Sequence, residues 1–169
     1  MTASIGSMIS DAHNLCVGYA NMLCNDIPAD QFTRRHAPTM NHPAFCMGHL
    51  SLYHGYAMGM AGLGDHASAS PDGWDDMFNY HATCDDDTGQ YPSKDEILAR
   101  YLQGAKEVTE HLASADDALL SAAIDPESPL ASRVNTNGAA VMFLLSAHPM
   151  VHLGQISTWR RAAGMGSAM

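Results

Sequence analysis

Apolar residues near the N-terminus recur at three- and four-residue spacing, which is the spacing of one face of an α-helix. Asp11, Asn14 and Asn21 fall on the opposite face. The pattern predicts an amphipathic first helix that ends before Pro28, because proline has no N–H to donate and cannot continue the helix. The apolar stripe consists of Ile5, Met8, Ile9, Ala12, Leu15, Cys16, Tyr19, Met22 and Leu23.

A second helix is predicted to start at the tripeptide Asn41-His42-Pro43. Proline is favoured at the first helical position, and Asn or His before it can cap the free N–H groups. Gly62 and Gly64 close this helix. One side of it carries Phe45, Cys46, His49, Leu52, Tyr53 and Tyr56.

The segment 64–92 is rich in Gly, Asp, Ser and Pro, which predicts a long connection with a short helical turn at residues 74–80. Connections of this length are uncommon inside one domain and are often functional. In a four-helix bundle, such a crossover allows the second and third helices to run in the same direction.

Two further helices complete the predicted set. Ser93 followed by Glu96 forms a capping box that starts the third helix, and a short helical piece is expected at residues 116–123. The fourth helix is predicted from about residue 136 to residue 163. Pro149 falls inside it, and because the apolar pattern continues in phase on both sides, we expect a kink there and not an end.

These patterns predict an all-α fold, a four-helix bundle, in a single domain over residues 1–169. The composition favours the same fold, because 46% of the residues are hydrophobic but only 7% are aromatic, and twelve are Met. Methionine fills irregular gaps between helices, whereas Val and Ile, which strands prefer, are sparse.

The formal net charge of −10 predicts that the protein does not bind nucleic acid, because an acidic surface repels phosphate. The four cysteines form no C-x-x-C motif, and Cys16 and Cys46 fall inside apolar stripes, where we expect them to pack in the core. The first residues have no basic segment followed by an apolar one, and no stretch approaches an uncharged apolar run of about 18 residues. We therefore expect a cytoplasmic protein that does not enter membranes.

Three of the ten histidines fall on predicted inward faces. His148 and His152 are four residues apart on the fourth helix, so their side chains point the same way and can bind one metal ion. His49 lies on the apolar stripe of the second helix. A buried imidazole costs free energy unless a partner satisfies it, and one shared metal ion satisfies three. The alternative is that the three histidines only pack in the core.

The remaining polar residues receive other interpretations. His54 is five residues after His49, so it should point away from the site. His42 lies two turns before His49 and either lines the mouth of the site or, as we expect, caps the helix or lies at the surface. Tyr53 and Gln155 either face the pocket or simply pack. A zincin protease is excluded because Pro149, and not Glu, follows His148. The histidines expected at the surface are His13, His36, His66, His81 and His111.

Two segments of the chain resemble helices of the DinB/YfiT-like family, which includes metalloenzymes. Residues 41–56, NHPAFCMGHLSLYHGY, resemble the second helix of that family. Residues 146–165, SAHPMVHLGQISTWRRAAGM, resemble its last helix, with an H-x-x-x-H-x-G-Q-I core and trailing arginines. The helix order and the long second connection match as well. The resemblance implies an up-down-down-up four-helix bundle and a metal ion held by His49, His148 and His152.

The resemblance also implies candidate activities and partners. Known branches of the family include transferases and isomerases that use bacillithiol, mycothiol or glutathione, so a small thiol cosubstrate and a homodimer are expected. The chain departs from the family at Pro149, where Glu or another helix former is usual, and this could shift His148 relative to His152.

Three neutral histidines leave a fourth coordination position open, which is typical of a catalytic metal site. The first hypothesis is a metal-dependent enzyme of the thiol-transferase or hydrolase type that uses a divalent ion, Zn²⁺, Ni²⁺ or Fe²⁺. The second is a non-catalytic metal-binding protein involved in stress or sensing. The third is a structural bundle that acts as a dimer module.

Overall fold

The computed structural model describes residues 3–86 and 89–168, and within these ranges it contains helices but no strand. One isolated β-bridge pairs Ala123 with Thr136. The helices are α1 (Ile5–Cys24), α2 (Pro43–Met60), α3 (Trp74–Phe78), α4 (Lys94–His111), α5 (Asp117–Ser121), α6 (Asn137–Met142) and α7 (His148–Ala162). Short 3-10 turns lie at Ala29–Gln31, Gly64–His66 and Leu112–Ser114. The all-α prediction is confirmed for the described part of the chain.

The predicted capping residues begin their helices. The Ser93 hydroxyl accepts the Glu96 N–H at 3.3 Å, and the Glu96 carboxylate accepts the Ser93 N–H at 2.9 Å, which completes the capping box. His42 caps α2, because its Nδ1 accepts the Phe45 N–H at 3.0 Å. The short helical turns expected at residues 74–80 and 116–123 are present as α3 and α5.

The α2 helix packs against both α4 and α7, and α1 packs against the same two helices. Every residue of α2 from Pro43 to Leu52 is buried, so this helix has no solvent face in its first half. Because α2 contacts α7 directly, side chains on the facing sides of these two helices meet inside the protein.

The α6 and α7 helices form one continuous helix, Asn137–Ala162, joined by the π-helical turn Phe143–Ala147. In this wider turn the His148 N–H donates to the Phe143 carbonyl, five residues earlier. The helix therefore continues through Pro149, as its apolar pattern predicted, with the irregularity in the turn that precedes the proline.

The stretch Asn137–Ala162 is long and apolar enough to cross a membrane by length and composition, which the sequence analysis did not anticipate. Core helices can pass the same test. Here Leu145, Leu153 and Ile156 of this stretch belong to the hydrophobic core, and 39% of its apolar 18-residue window is buried in the protein.

The prediction that His13 lies at the surface is wrong. His13 is fully buried and its Nδ1–H donates to the carbonyl of Leu145 at 2.9 Å. In a regular helix, the amide of residue 149 would donate to that carbonyl, but Pro149 has no N–H. His13 therefore supplies the hydrogen bond that the proline cannot make.

The apolar stripe of α1 is wider than the face that the core covers. Met8, Leu15 and Met22 remain 52%, 74% and 49% exposed, whereas Ile9, Cys16 and Leu23 beside them are buried. The first three residues are spaced by seven, so they form a line of large apolar side chains along the outside of the helix.

Candidate metal centre

His49 is held in place by a neighbouring short helix. Its Nδ1 lies 2.6 Å from the carbonyl oxygen of Phe78, the last residue of α3. A carbonyl can only accept, so Nδ1 carries the proton and Nε2 presents a lone pair. The Phe78 ring can approach α2 this closely because Gly48 has no side chain, since a Cβ there would overlap the ring.

His148 and His152 extend from successive turns of α7 toward His49. The His148 Nε2 lies 3.1 Å from the Nε2 of His49 and 3.1 Å from the Nε2 of His152. One ring nitrogen from each of the three histidines lies within 4.8 Å of the other two. The structure thus brings together the three histidines that the sequence singled out, and Pro149 does not separate His148 from His152.

Gln155 orients His152 from one turn further along α7. The Nδ1–H of His152 donates to the Gln155 side-chain oxygen at 3.1 Å. The Asn41 amide and the Cys46 thiol donate to the same oxygen, each at 3.4 Å, which fixes the orientation of the glutamine. Sequence reasoning left open whether Gln155 faces the pocket or packs, and the structure shows that it holds a site histidine.

His148 is oriented by ring packing. Its ring centroid lies 4.4 Å from that of Tyr53 and 5.7 Å from that of Phe143. Its Nδ1 is buried and has no hydrogen-bond partner within the described ranges. The three imidazoles are thus fixed in three different ways: by a backbone carbonyl, by a side-chain amide and by aromatic contacts.

Burial keeps all three imidazoles neutral. It lowers the pKa of His49 below its ordinary value of 6.5. The pKa of His148 falls to about 3, because of burial first and then the nearby His152 and His49. The pKa of His152 falls to about 4, because of burial first and then His49. Neutral imidazoles have the lone pairs that metal binding requires.

The arrangement of the nitrogens fits a metal ion. His49 and His152 each carry their proton on Nδ1, so a proton on the Nε2 of His148 can satisfy only one of the two contacts at 3.1 Å. A cation shared by the three nitrogens satisfies them all. With metal–nitrogen bonds of about 2.0–2.1 Å, tetrahedral geometry separates two bound nitrogens by about 3.3 Å, close to the distances in the structure.

The three histidines line a cavity of about 820 Å³. Small-molecule sites typically enclose about 300–1,000 Å³, so this one has room for a substrate beside a metal ion. Tyr53, Tyr56 and Phe143 contribute aromatic walls, and the long connection contributes Asn79, Tyr80 and Ala82. No carboxylate lines the cavity among the described residues.

The other buried histidines serve the fold. His54 points away from the site, as the helical spacing predicted, but it is buried against His13 and Tyr101, each at 5.0 Å between ring centroids. His42 caps α2 and its Nε2–H donates to the Asp85 carbonyl at 3.0 Å. Sequence reasoning missed the Phe78 carbonyl, because a backbone acceptor in a connection leaves no signal in the sequence.

A profile of the DinB superfamily matches residues 18–156, which is well over half of the chain and includes all three histidines. The chain therefore belongs to the DinB superfamily, and the resemblance seen in the sequence is confirmed. A comparison with curated proteins finds no match, and a comparison with solved structures finds none either.

Proposed function

We propose that this protein is a metal-dependent enzyme in which His49, His148 and His152 hold one divalent ion, Zn²⁺, Ni²⁺ or Fe²⁺. One observation carries the proposal: three neutral imidazoles converge at the wall of a cavity large enough for a substrate. A bound divalent ion supplies Lewis-acid chemistry toward a thiol, a water molecule or a substrate oxygen. A closed structural metal site would need no cavity.

Thiol transfer fits the cavity better than hydrolysis. Many metallohydrolases place a carboxylate beside the metal as a general base, as the glutamate of H-E-x-x-H does. The described wall of this cavity offers no carboxylate, and the pKa of Tyr53 is raised by burial, so this phenol stays protonated. Tyr53 can therefore donate a hydrogen bond to a substrate but does not accept a proton from water near neutral pH.

The first test is the metal content of the purified protein. We expect about one divalent ion per chain, lost in His49→Ala, His148→Ala and His152→Ala. His66→Ala is the matched control, because His66 is exposed and lies outside the cavity. His54→Ala should keep the metal but lose stability, since His54 is buried. Equal metal content in all variants would show that the three histidines only pack.

The second test asks whether a thiol reaches the ion. In protein loaded with Co²⁺, a bound thiolate gives a visible sulfur-to-metal charge-transfer band. We expect such a band with one of bacillithiol, mycothiol, glutathione or cysteine, and transfer of that thiol to an electrophile that stops in His148→Ala. A cobalt spectrum that responds to no thiol would rule out thiol transfer. Two functions would then remain: hydrolysis, and metal binding without turnover.

The alternative is a metal-binding protein without turnover, involved in stress or sensing. The lack of a carboxylate on the described cavity wall favours it over a hydrolase. Metal that binds tightly, raises the melting temperature and supports no reaction with the thiols above would establish this alternative.

We also propose that the long helices form the up-down-down-up bundle and that two chains associate. The packing of α2 and of α1 against the same two helices supports a four-helix arrangement. The exposed line of Met8, Leu15 and Met22 supports a homodimer through α1, because apolar lines of this kind are commonly covered by a partner. Light scattering on the native chain and on Leu15→Glu tests the dimer, and a native monomer would refute it.

The expected location in the cytoplasm stays a prediction, as does the expectation that the protein binds neither nucleic acid nor membranes. The charge of −10 supports the prediction about nucleic acid.

A further inference from the structure

Arg133 is the one lysine or arginine among the described residues that line the cavity. It follows Leu130 on a stretch of consecutive turns between α5 and α6, far from the histidines in the sequence. The sequence does not indicate that Arg133 lies near the histidines, because nothing in the local pattern shows where this stretch lies in the fold.

Most of the other basic side chains are engaged by the protein itself. Arg133, by contrast, has no hydrogen-bond or ion-pair partner for its guanidinium within the described ranges. Only Arg34 and Arg161 share this state, and neither lines the cavity. The engaged residues are Arg35 with Asp86, Lys106 with Glu110, Arg160 with Asp26, Lys94 with the carbonyls of Asn25 and Ile27, and Arg100 with the carbonyl of Ser68.

The backbone around Arg133 is tied down. At the base of the loop, the Ile124 N–H donates to the Asn135 carbonyl at 3.1 Å and closes it into a ring. The Arg133 N–H donates to the Leu130 carbonyl at 2.9 Å, and Leu130 packs against the hydrophobic core. Compact loops with closed ends are frequently functional. The backbone hydrogen bonds of this loop fix the position of the Arg133 Cα atom, from which the side chain extends.

The cavity therefore combines three chemical features. It has neutral imidazoles for a metal ion, walls that include Tyr53 and Phe143, and one unpaired guanidinium on the closed loop. In a chain with a net charge of −10, an unpaired cation on a cavity wall selects for an anion. Guanidinium binds carboxylate through two parallel hydrogen bonds, which gives orientation as well as affinity.

We propose that Arg133 is a specificity-determining residue that binds a carboxylate of the substrate, while the opposite end of the same molecule reaches the three histidines. This inference rests on the proposed metal site. The substrate class is thus an acid with an apolar or extended body and a metal-binding group at the end away from its carboxylate.

The test uses hydroxamic acids, which bind divalent metal ions through two oxygens. A series that carries a terminal carboxylate on alkyl chains of increasing length is compared with the uncharged carboxamide series, in protein loaded with Zn²⁺. At one chain length, we expect the carboxylate to bind at least about tenfold more tightly than its carboxamide. This advantage should disappear in Arg133→Gln and persist in Arg161→Gln, the matched control.

Acetohydroxamic acid, which has no second group, should bind equally to the native chain and to Arg133→Gln. Metal-loaded protein that binds acetohydroxamic acid but prefers no carboxylate probe would overturn the inference and leave the metal site standing. A carboxylate preference that survives in Arg133→Gln would also overturn it. A chain that binds no divalent metal would overturn the proposed function, and this inference with it.

Discussion

At the scale of single residues, the candidate site depends on groups that position the histidines. His49 and His152 present Nε2 to the centre because Phe78 and Gln155 accept the protons on their Nδ1 atoms. Such hydrogen bonds fix the tautomer and the ring orientation of metal-binding histidines. Of the two, only the Gln155 contact is made by a side chain and can be removed by substitution.

Gln155→Leu should weaken metal binding by about 10- to 100-fold, because the Nδ1–H of His152 then loses its acceptor. Gln155→Glu keeps an acceptor and should retain most of the affinity. Gln31→Leu, the same change at a residue away from the site, should have no effect. Competition with a coloured chelator measures all four proteins, and unchanged affinity in Gln155→Leu would show that the hydrogen bond does not matter for the metal.

At the scale of helices, the irregular turn before α7 is the most informative element. Pro149 leaves the Leu145 carbonyl without its regular donor, and the Nδ1–H of His13 donates to it from α1. The proline and a histidine 136 positions earlier in the chain are thereby coupled. This contact joins α1 to the segment that carries His148.

A double-mutant cycle with His13→Ala and Pro149→Ala tests the coupling. His13→Ala should lower the free energy of unfolding, partly because a buried carbonyl loses its partner, which costs about 1–3 kcal/mol. With alanine at 149, a backbone N–H can replace the histidine, so the same change should cost less. Urea unfolding measures the coupling, and effects that add to within about 0.5 kcal/mol would refute it.

The sequence predicted the helices well because their signals are local. The Ser93–Glu96 box, Pro43 and the stripes of apolar residues each act within a few positions. His49, His148 and His152 could be selected by helical spacing for the same reason. His13 also has a local signal for burial, since it lies in phase with Ile9 and Cys16, which are buried as it is.

The parts that the sequence did not predict depend on distant segments. Phe78 and Arg133 lie near the histidines because two connections fold back onto the helices, one between α2 and α4 and the other between α5 and α6. The exposure of Leu15 on α1 likewise depends on which neighbours cover the stripe, and periodicity alone does not contain that information.

At the scale of the whole molecule, the protein buries an unusual number of neutral histidines. Six of the ten have a pKa below the ordinary value of 6.5, and burial is the largest cause in each. They are His13, His42, His49, His54, His148 and His152. In the unfolded chain, these imidazoles take up protons near the ordinary value, whereas in the folded protein they do so only at lower pH.

The metal-free protein should therefore lose stability as the pH falls below about 6.5, because the unfolded state binds more protons than the folded state. Each buried histidine contributes a slope of up to about 1.4 kcal/mol per pH unit until its own lowered pKa is reached. The acidic groups with lowered pKa values, such as Asp26 and Glu96, add to this loss only near and below pH about 4, the range of their unfolded pKa values. Between about pH 6.5 and pH 5, the change in the free energy of unfolding with pH therefore reports mainly on the histidines.

Urea unfolding of chelator-treated protein across that interval measures the slope. His54→Phe removes one of the six buried imidazoles, whose pKa lies well below the ordinary value, so it should reduce the slope of stability against pH by up to about 1.4 kcal/mol per pH unit, whatever it does to the stability itself. His66→Gln, a change at an exposed histidine, should leave the slope as it is. A free energy of unfolding that stays constant from about pH 7 to pH 5 would mean that the buried imidazoles find proton-accepting partners, and the neutral centre proposed for the metal would lose its electrostatic basis.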